Sequence, residues 1–254
     1  MPDSRIPVRA CLVLVATCLA FVPLCAGEAQ LPTRFTNLRV LPPDIAPDSL
    51  LSVMGGFTRA LGVRCIHCHV AANGVRPSAE EFALDGSEAK RVARVMWQMV
   101  EAINGQHLPA IGRPVAALAR VTCATCHRGI ARPIPLEEVL RVTYERAGID
   151  STIAQYRGLR REHFGASAYD FSELPLPTLA DRLAEHAARR PDAARLMRLN
   201  LEFYPASWFT YQQLAQLEAA MGDTTAAILS LERGLALNPQ RAFLRELLAR
   251  LKPR

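Results

Sequence analysis

One five-residue pattern occurs twice in this chain, and it dictates what the surrounding residues must build. Cys65-Ile66-His67-Cys68-His69 and Cys123-Ala124-Thr125-Cys126-His127 both read C-x-x-C-H. Two thiols three residues apart on a turn of helix can each add to one vinyl group of a porphyrin. The His that follows then turns its imidazole to the iron as proximal ligand. The pattern is the c-type haem attachment signature, so Cys65, Cys68, Cys123 and Cys126 read as thioether anchors of two haems. His69 and His127 read as the proximal iron ligands. Paired C-x-x-C also binds zinc. Here 54 residues separate Cys68 from Cys123, far beyond zinc-ribbon spacing, and each pair carries its own His. His67 is read as solvent-facing.

The remaining cysteines fit the same reading. Cys11, Cys18 and Cys25 lie in an apolar run over residues 10–26, preceded by Arg5 and Arg9 and followed by the small residues Gly27 and Ala29. That is the pattern of a secretory signal over residues 1–29, which places the rest of the chain in the periplasm. The run is short for a transmembrane helix and polar chain follows at once. Left uncleaved, it would anchor the chain in the membrane. No Leu-x-small-Cys precedes Cys18 or Cys25, which argues against a lipoprotein. After cleavage four cysteines remain, all of them in the two motifs, and none is left for a disulfide.

The balance of residues points to helices. Aromatics make up 6% of the chain beside abundant Leu, Ala and Arg, a bias that favours a mainly α fold over a β-sandwich. The formal charge of +6 invites a nucleic-acid reading, which its distribution does not support. Residues 30–130 carry 11 basic and seven acidic side chains, and the four propionates of two haems nearly cancel that excess. Arg59, Arg64, Arg91, Arg94 and Arg128 suit such carboxylates, because a planar fork matches them. Residues 131–254 add 17 basic and 15 acidic side chains, with no basic stripe interleaved with aromatics. A weakly basic patch for an acidic redox partner is compatible with this distribution.

A six-coordinate haem needs a second axial ligand, commonly Met or His. Met54, Met96 and Met99 lie on helical stretches just ahead of the motifs. The first stretch covers residues 47–61, with Pro47 suited to the first helical position and Leu50, Met54, Phe57 and Leu61 on one face. The second covers residues 85–104, with Asp85 and Glu88 at capping-box spacing and Val92, Val95, Met96 and Met99 on the apolar side. Such methionines are often core filler, but a helix directly preceding C-x-x-C-H must pack on the haem. His107 is a further candidate distal ligand if the loop after Asn104 folds back, whereas His163 and His186 read as surface residues.

Several of these segments resemble a known family. They are Asn37-Leu38-Arg39-Val40-Leu41-Pro42, Val53-Met54, and Leu61-Gly62-Val63-Arg64-Cys65, then residues 94–104 with Met96 and Met99, and Val121-Thr122 before the second motif. Over residues 37–135 they are similar to the haem modules of the photosynthetic reaction-centre cytochrome c subunit. In that family each haem sits against a helix whose Met is the distal ligand. The resemblance implies Met54 opposite His69 and Met96 opposite His127, with Met99 matching a second, non-ligating Met. It departs in number, since the family's subunit typically carries four modules and this chain shows two.

The C-terminal part reads as helices. A helix is expected from Leu136 to about Gly148, and a connector through Tyr156 and the residues 169–174 completes a helical link over 136–174. Residues 175–254 are expected to form a tetratricopeptide-like region. Residues 208–240 fit one repeat, with Tyr211, Leu214, Ala215, Gly222, Ala227, Leu231 and Pro239 at the repeat positions. A weaker copy precedes it and a closing helix follows over 241–251. Stacked helix pairs present a concave face suited to protein docking, or they simply cap the haem module. The organisation expected is therefore a signal over 1–29, a dihaem domain over 30–135, the helical link, and the repeat-like tail.

No nucleophile or general base beside a pocket is evident, so no catalytic residue is assigned. The sequence favours an electron carrier with two Met/His haems that reduces a membrane redox partner, a reaction centre or another oxidoreductase. A dihaem peroxidase, which needs one open iron, is the alternative.

Overall fold

A computed structural model of the chain describes residues 35–74, 77–113 and 120–252. The signal expected over residues 1–29, with Cys11, Cys18 and Cys25, lies outside the described residues. The described residues form ten α-helices and no strand, so the fold is mainly α. None of these helices is long and apolar enough to cross a membrane.

Four helices belong to the region of the two motifs. Helix α1 runs Pro47–Leu61, with Pro47 at its start and Asp48 favouring the N-terminal end of the helix dipole. It stops at Gly62, where φ is 66°. A Cβ on Gly62 would sit 2.0 Å from the Gly129 carbonyl oxygen, so both the backbone angle and the space require glycine. Helix α2, Ala79–Ala83, is capped by Ser78 and Glu81, whose side chains each accept the other's backbone N–H.

Helix α3 runs Glu88–Ala102. The capping box expected between Asp85 and Glu88 does not form. Ser87 occupies the cap position, and the Asp85 carboxylate is taken by Arg94 at 2.8 Å, Asn37 at 2.9 Å and Arg39 at 3.1 Å. Pairing with Arg94 of the helix itself and with Asn37 and Arg39 from an earlier segment has displaced a local cap. Beyond Ala102 the helix widens into a π turn, Ile103–His107. Helix α4, Cys123–His127, is the second motif itself.

Helix α5 covers Leu136–His163, past the point where the sequence suggested a stop. Gly148, at φ 74° and ψ −175°, interrupts it, and the chain then resumes helix. The resumption has a packing reason, because Ile149, Thr152 and Tyr156 are all buried. Residues 136–174 therefore share a core with the helices that follow. Those are α6 (Pro175–Ala184), α7 (Arg190–Phe203), α8 (Trp208–Ala220), α9 (Thr224–Leu237) and α10 (Ala242–Leu251). Each packs on the next along the chain. Ser207 and Asp223 cap α8 and α9, accepting the N–H of Thr210 and Ala226.

The core lies in this second half. Leu136, Leu140, Tyr156, Leu179, Leu196 and Met197 are buried in one cluster, and Ala215, Leu231 and Leu244 form another. Glu218 is buried between α7 and α9, where Arg198 and Ser230 each donate to it at 2.7 Å. Arg160 closes the end of α5, with its guanidinium over the rings of Phe164 and Phe203 and a 3.1 Å bond to the Phe171 carbonyl. Ahead of Leu136, only Ala60 and Pro77 are buried among the described residues.

Candidate haem-binding sites

The two motifs take different local shapes. The first is a 3-10 turn over Cys65–His67, extended when the His69 N–H donates to the Cys65 carbonyl at 3.0 Å. The second is a full α-helical turn, fixed at its start where the Thr122 N–H donates to the Thr125 hydroxyl at 3.0 Å. It ends in two left-handed residues, Arg128 at φ 50° and Gly129 at φ 89°. The Gly129 N–H then donates to the Ala60 carbonyl at 2.8 Å, locking the end of α4 onto the end of α1.

Both motif histidines are oriented in the same way by unrelated means. His69 Nδ1 lies 3.1 Å from the Phe82 carbonyl oxygen, and His127 Nδ1 lies 3.0 Å from that of Ile130. A carbonyl can only accept, so each Nδ1 carries the proton and each Nε2 presents its lone pair. That is the state a haem-ligating imidazole needs, with the second nitrogen held by an outer partner. Burial, and then the Lys90 charge, push the His69 pKa below its ordinary value, which keeps the ring neutral at pH 7. Burial likewise raises the Cys68 and Cys123 thiols.

The carbonyls themselves are positioned by polar side chains. Phe82 lies at the end of α2, and its ring meets the His69 ring edge-on at 4.9 Å. The segment after it is tied down by Asn37, which donates to the Ala83 carbonyl and to Asp85. The Arg94 guanidinium, with Asn37, holds the Asp85 carboxyl far below the usual carboxylate range. Arg94 therefore has a protein partner, whereas the sequence suggested it for a propionate. Before the second motif, Asn104 imitates a backbone strand. Its amide donates to the Val121 carbonyl at 2.8 Å and accepts the Val121 N–H at 2.9 Å.

The helices that carry the candidate distal ligands meet in the same region. Phe57 of α1 and Trp97 of α3 stack edge-to-face at 5.7 Å, and both helices contact α4. Met54 is half-buried on α1. On α3, Val92, Val95, Met96 and Met99 are all exposed, an apolar stripe on the surface of a polar region. His107 is exposed on the π turn. Among the described residues no group of three His, Cys, Asp or Glu side chains converges to hold a bare metal ion.

The model of the photosynthetic reaction centre cytochrome C subunit family matches residues 75–223. The chain belongs to that family. Its members are haem c cytochromes, so this is a c-type cytochrome of an electron-carrying family. The match runs from α2 through α8 and contains the second motif, while the first motif precedes it. The family thus extends into helices that the resemblance, carried on residues 37–135, did not reach. No curated protein matches the chain.

The residues present fit a covalently attached haem. Each motif supplies two thiols and an imidazole with a committed tautomer, and α3 supplies an apolar flank such as a porphyrin face packs on. Sequence reasoning missed Phe82 and Ile130, and it met Asn37 and Asn104 only within the segments of the family resemblance, without a role for either. The first two act through backbone carbonyls, which leave no mark in a sequence.

Proposed function

We propose that this chain is an exported, periplasmic dihaem cytochrome that passes single electrons to a membrane redox partner. The observation that carries the reading is the paired orientation of the motif histidines, each with Nδ1 on a backbone carbonyl and Nε2 available. Cys65 and Cys68 hold the first haem and His69 ligates it. Cys123, Cys126 and His127 do the same for the second. Met54 and Met96 are the distal ligands, in the order that the family resemblance implies. A c-type haem supplies a one-electron iron couple, whose potential Met raises relative to His.

The protein's own part is to hold these ligands and exclude water. The Phe57–Trp97 contact and the Gly129–Ala60 bond fix α1, α3 and α4 against one another. Met54 and Met96 would complete the two ligand sets, which favours an electron carrier over a dihaem peroxidase. The partner is a reaction centre, as the family suggests, or another membrane oxidoreductase. The signal over 1–29, the dihaem domain over 30–135, the helical link over 136–174 and the repeat-like tail over 175–254 complete the organisation. The tail serves as a protein docking surface, a role supported by its consecutive helix pairs.

The test is the visible spectrum of the reduced, exported protein with haem counted by mass, before and after carbon monoxide. Two haems and an unchanged spectrum are expected. A gas-induced shift in one haem would instead make the dihaem peroxidase the better reading.

A further inference from the structure

The two proximal histidines differ in what else touches their carbonyl partner. The Ile130 carbonyl lies three residues beyond His127, on the turn that leaves α4. The Phe82 carbonyl lies 13 residues beyond His69 and is shared. Lys90 Nζ donates to the same oxygen at 3.0 Å, and also to the Leu84 carbonyl at 2.7 Å. The Lys90 side chain is 13% exposed, and the Asp85 carboxylate lies 3.5 Å from its ammonium. This is one of two lysines in a chain whose other basic residues are arginine. Its compact head meets two carbonyls and a carboxylate in one place.

A hydrogen bond from imidazole Nδ1 to a carbonyl makes the ring a stronger donor to iron and favours the oxidised state. An ammonium on the same oxygen draws the lone pairs away from the imidazole and weakens that push. Its charge also favours the reduced haem, which carries one positive charge fewer, across a partly desolvated path. Both effects have the same sign.

We propose that Lys90 is a positioning residue for the first haem, acting through the Phe82 carbonyl that it shares with His69 and raising the potential of that haem. The second haem has no corresponding cation on the Ile130 carbonyl among the described residues, and the two sites become electrically unequal. The inference rests on the dihaem reading above.

The experiment is a redox titration of the full exported protein, with haem counted by mass, for wild type, Lys90→Gln, Lys90→Arg and Asp85→Asn. Lys90→Gln keeps a hydrogen-bond donor but removes the charge. One of the two waves should fall, by about tenfold in its oxidation equilibrium, or ~59 mV for a one-electron couple. Lys90→Arg should restore most of that shift. Asp85→Asn removes the compensating carboxylate, so the same wave should rise. A Lys90→Gln protein with both haems and unmoved waves, or with both waves lowered alike, overturns the inference while leaving the dihaem reading intact. So does an Asp85→Asn wave that falls, which decides the matter even if Lys90→Gln does not load haem. A wild-type protein without haem on the first motif overturns both.

Discussion

Residues 136–252 and residues 35–135 are both helical, but different forces hold them. The second half buries Leu136, Leu140, Tyr156, Leu179, Leu196 and Met197 together, a cluster that would exist in any aqueous solvent. Among the described residues the first half has no comparable cluster. Its segments are joined by the Phe57–Trp97 contact and by polar ties: Asn37 to Asp85, Asn104 to Val121, Gly129 to Ala60. Val92, Val95, Met96 and Met99 form an exposed apolar stripe on α3. A region organised in this way stands to gain stability from a haem packed on that stripe. A region with a complete core does not.

Removing haem attachment breaks the comparison most sharply. With Cys65, Cys68, Cys123 and Cys126 all replaced by Ser, α1 and α3 should lose roughly 5 kcal/mol or more of protection, the scale of a whole domain's stability. The amides of α6 to α9 should stay protected, and hydrogen exchange reads both regions in one experiment. Equal loss in the two halves would mean that they fold as one unit. Leu196→Ala tests the converse. A cavity in the second-half core should cost about 2–5 kcal/mol in denaturant titration, while the haem spectrum and potentials stay as in wild type.

Gly62→Ala probes the junction between α1 and α4. The added methyl meets the Gly129 carbonyl and also a positive φ, so about 2 kcal/mol of stability should be lost from the first half alone. A smaller effect is expected at Tyr144, whose hydroxyl donates to Asp192 at 2.8 Å. Tyr144→Phe should cost about 1 kcal/mol near neutral pH. Burial, and then the Asp192 carboxylate, push the Tyr144 pKa up to about 12. Its folded value is thus raised above the unfolded value of about 10, and its contribution is complete below that pH. The contribution is lost as pH rises toward 12. The stability gap between wild type and variant should therefore narrow over pH 10–12 in alkaline denaturation curves, and a constant gap would remove Tyr144 from the account.

The amino-acid sequence determined what depends on local side-chain chemistry. Each C-x-x-C-H motif brings two thiols and a following imidazole within one turn of chain, whatever packs around it. Helix α1 was legible to its ends, because Pro47, the apolar spacing and Gly62 mark a start, a face and a stop within 16 residues. The tertiary structure decided the rest. Asp85 looked like a helix cap until Arg39, Arg94 and Asn37 reached it from elsewhere in the first half. Gly148 looked like a helix end until burial of Ile149, Thr152 and Tyr156 made resumption favourable. His69 is held by Phe82 and His127 by Ile130, a choice between chemically identical carbonyls that every residue possesses. Side-chain chemistry is written in the residue names, whereas the backbone group that a side chain meets is fixed only once distant segments have packed.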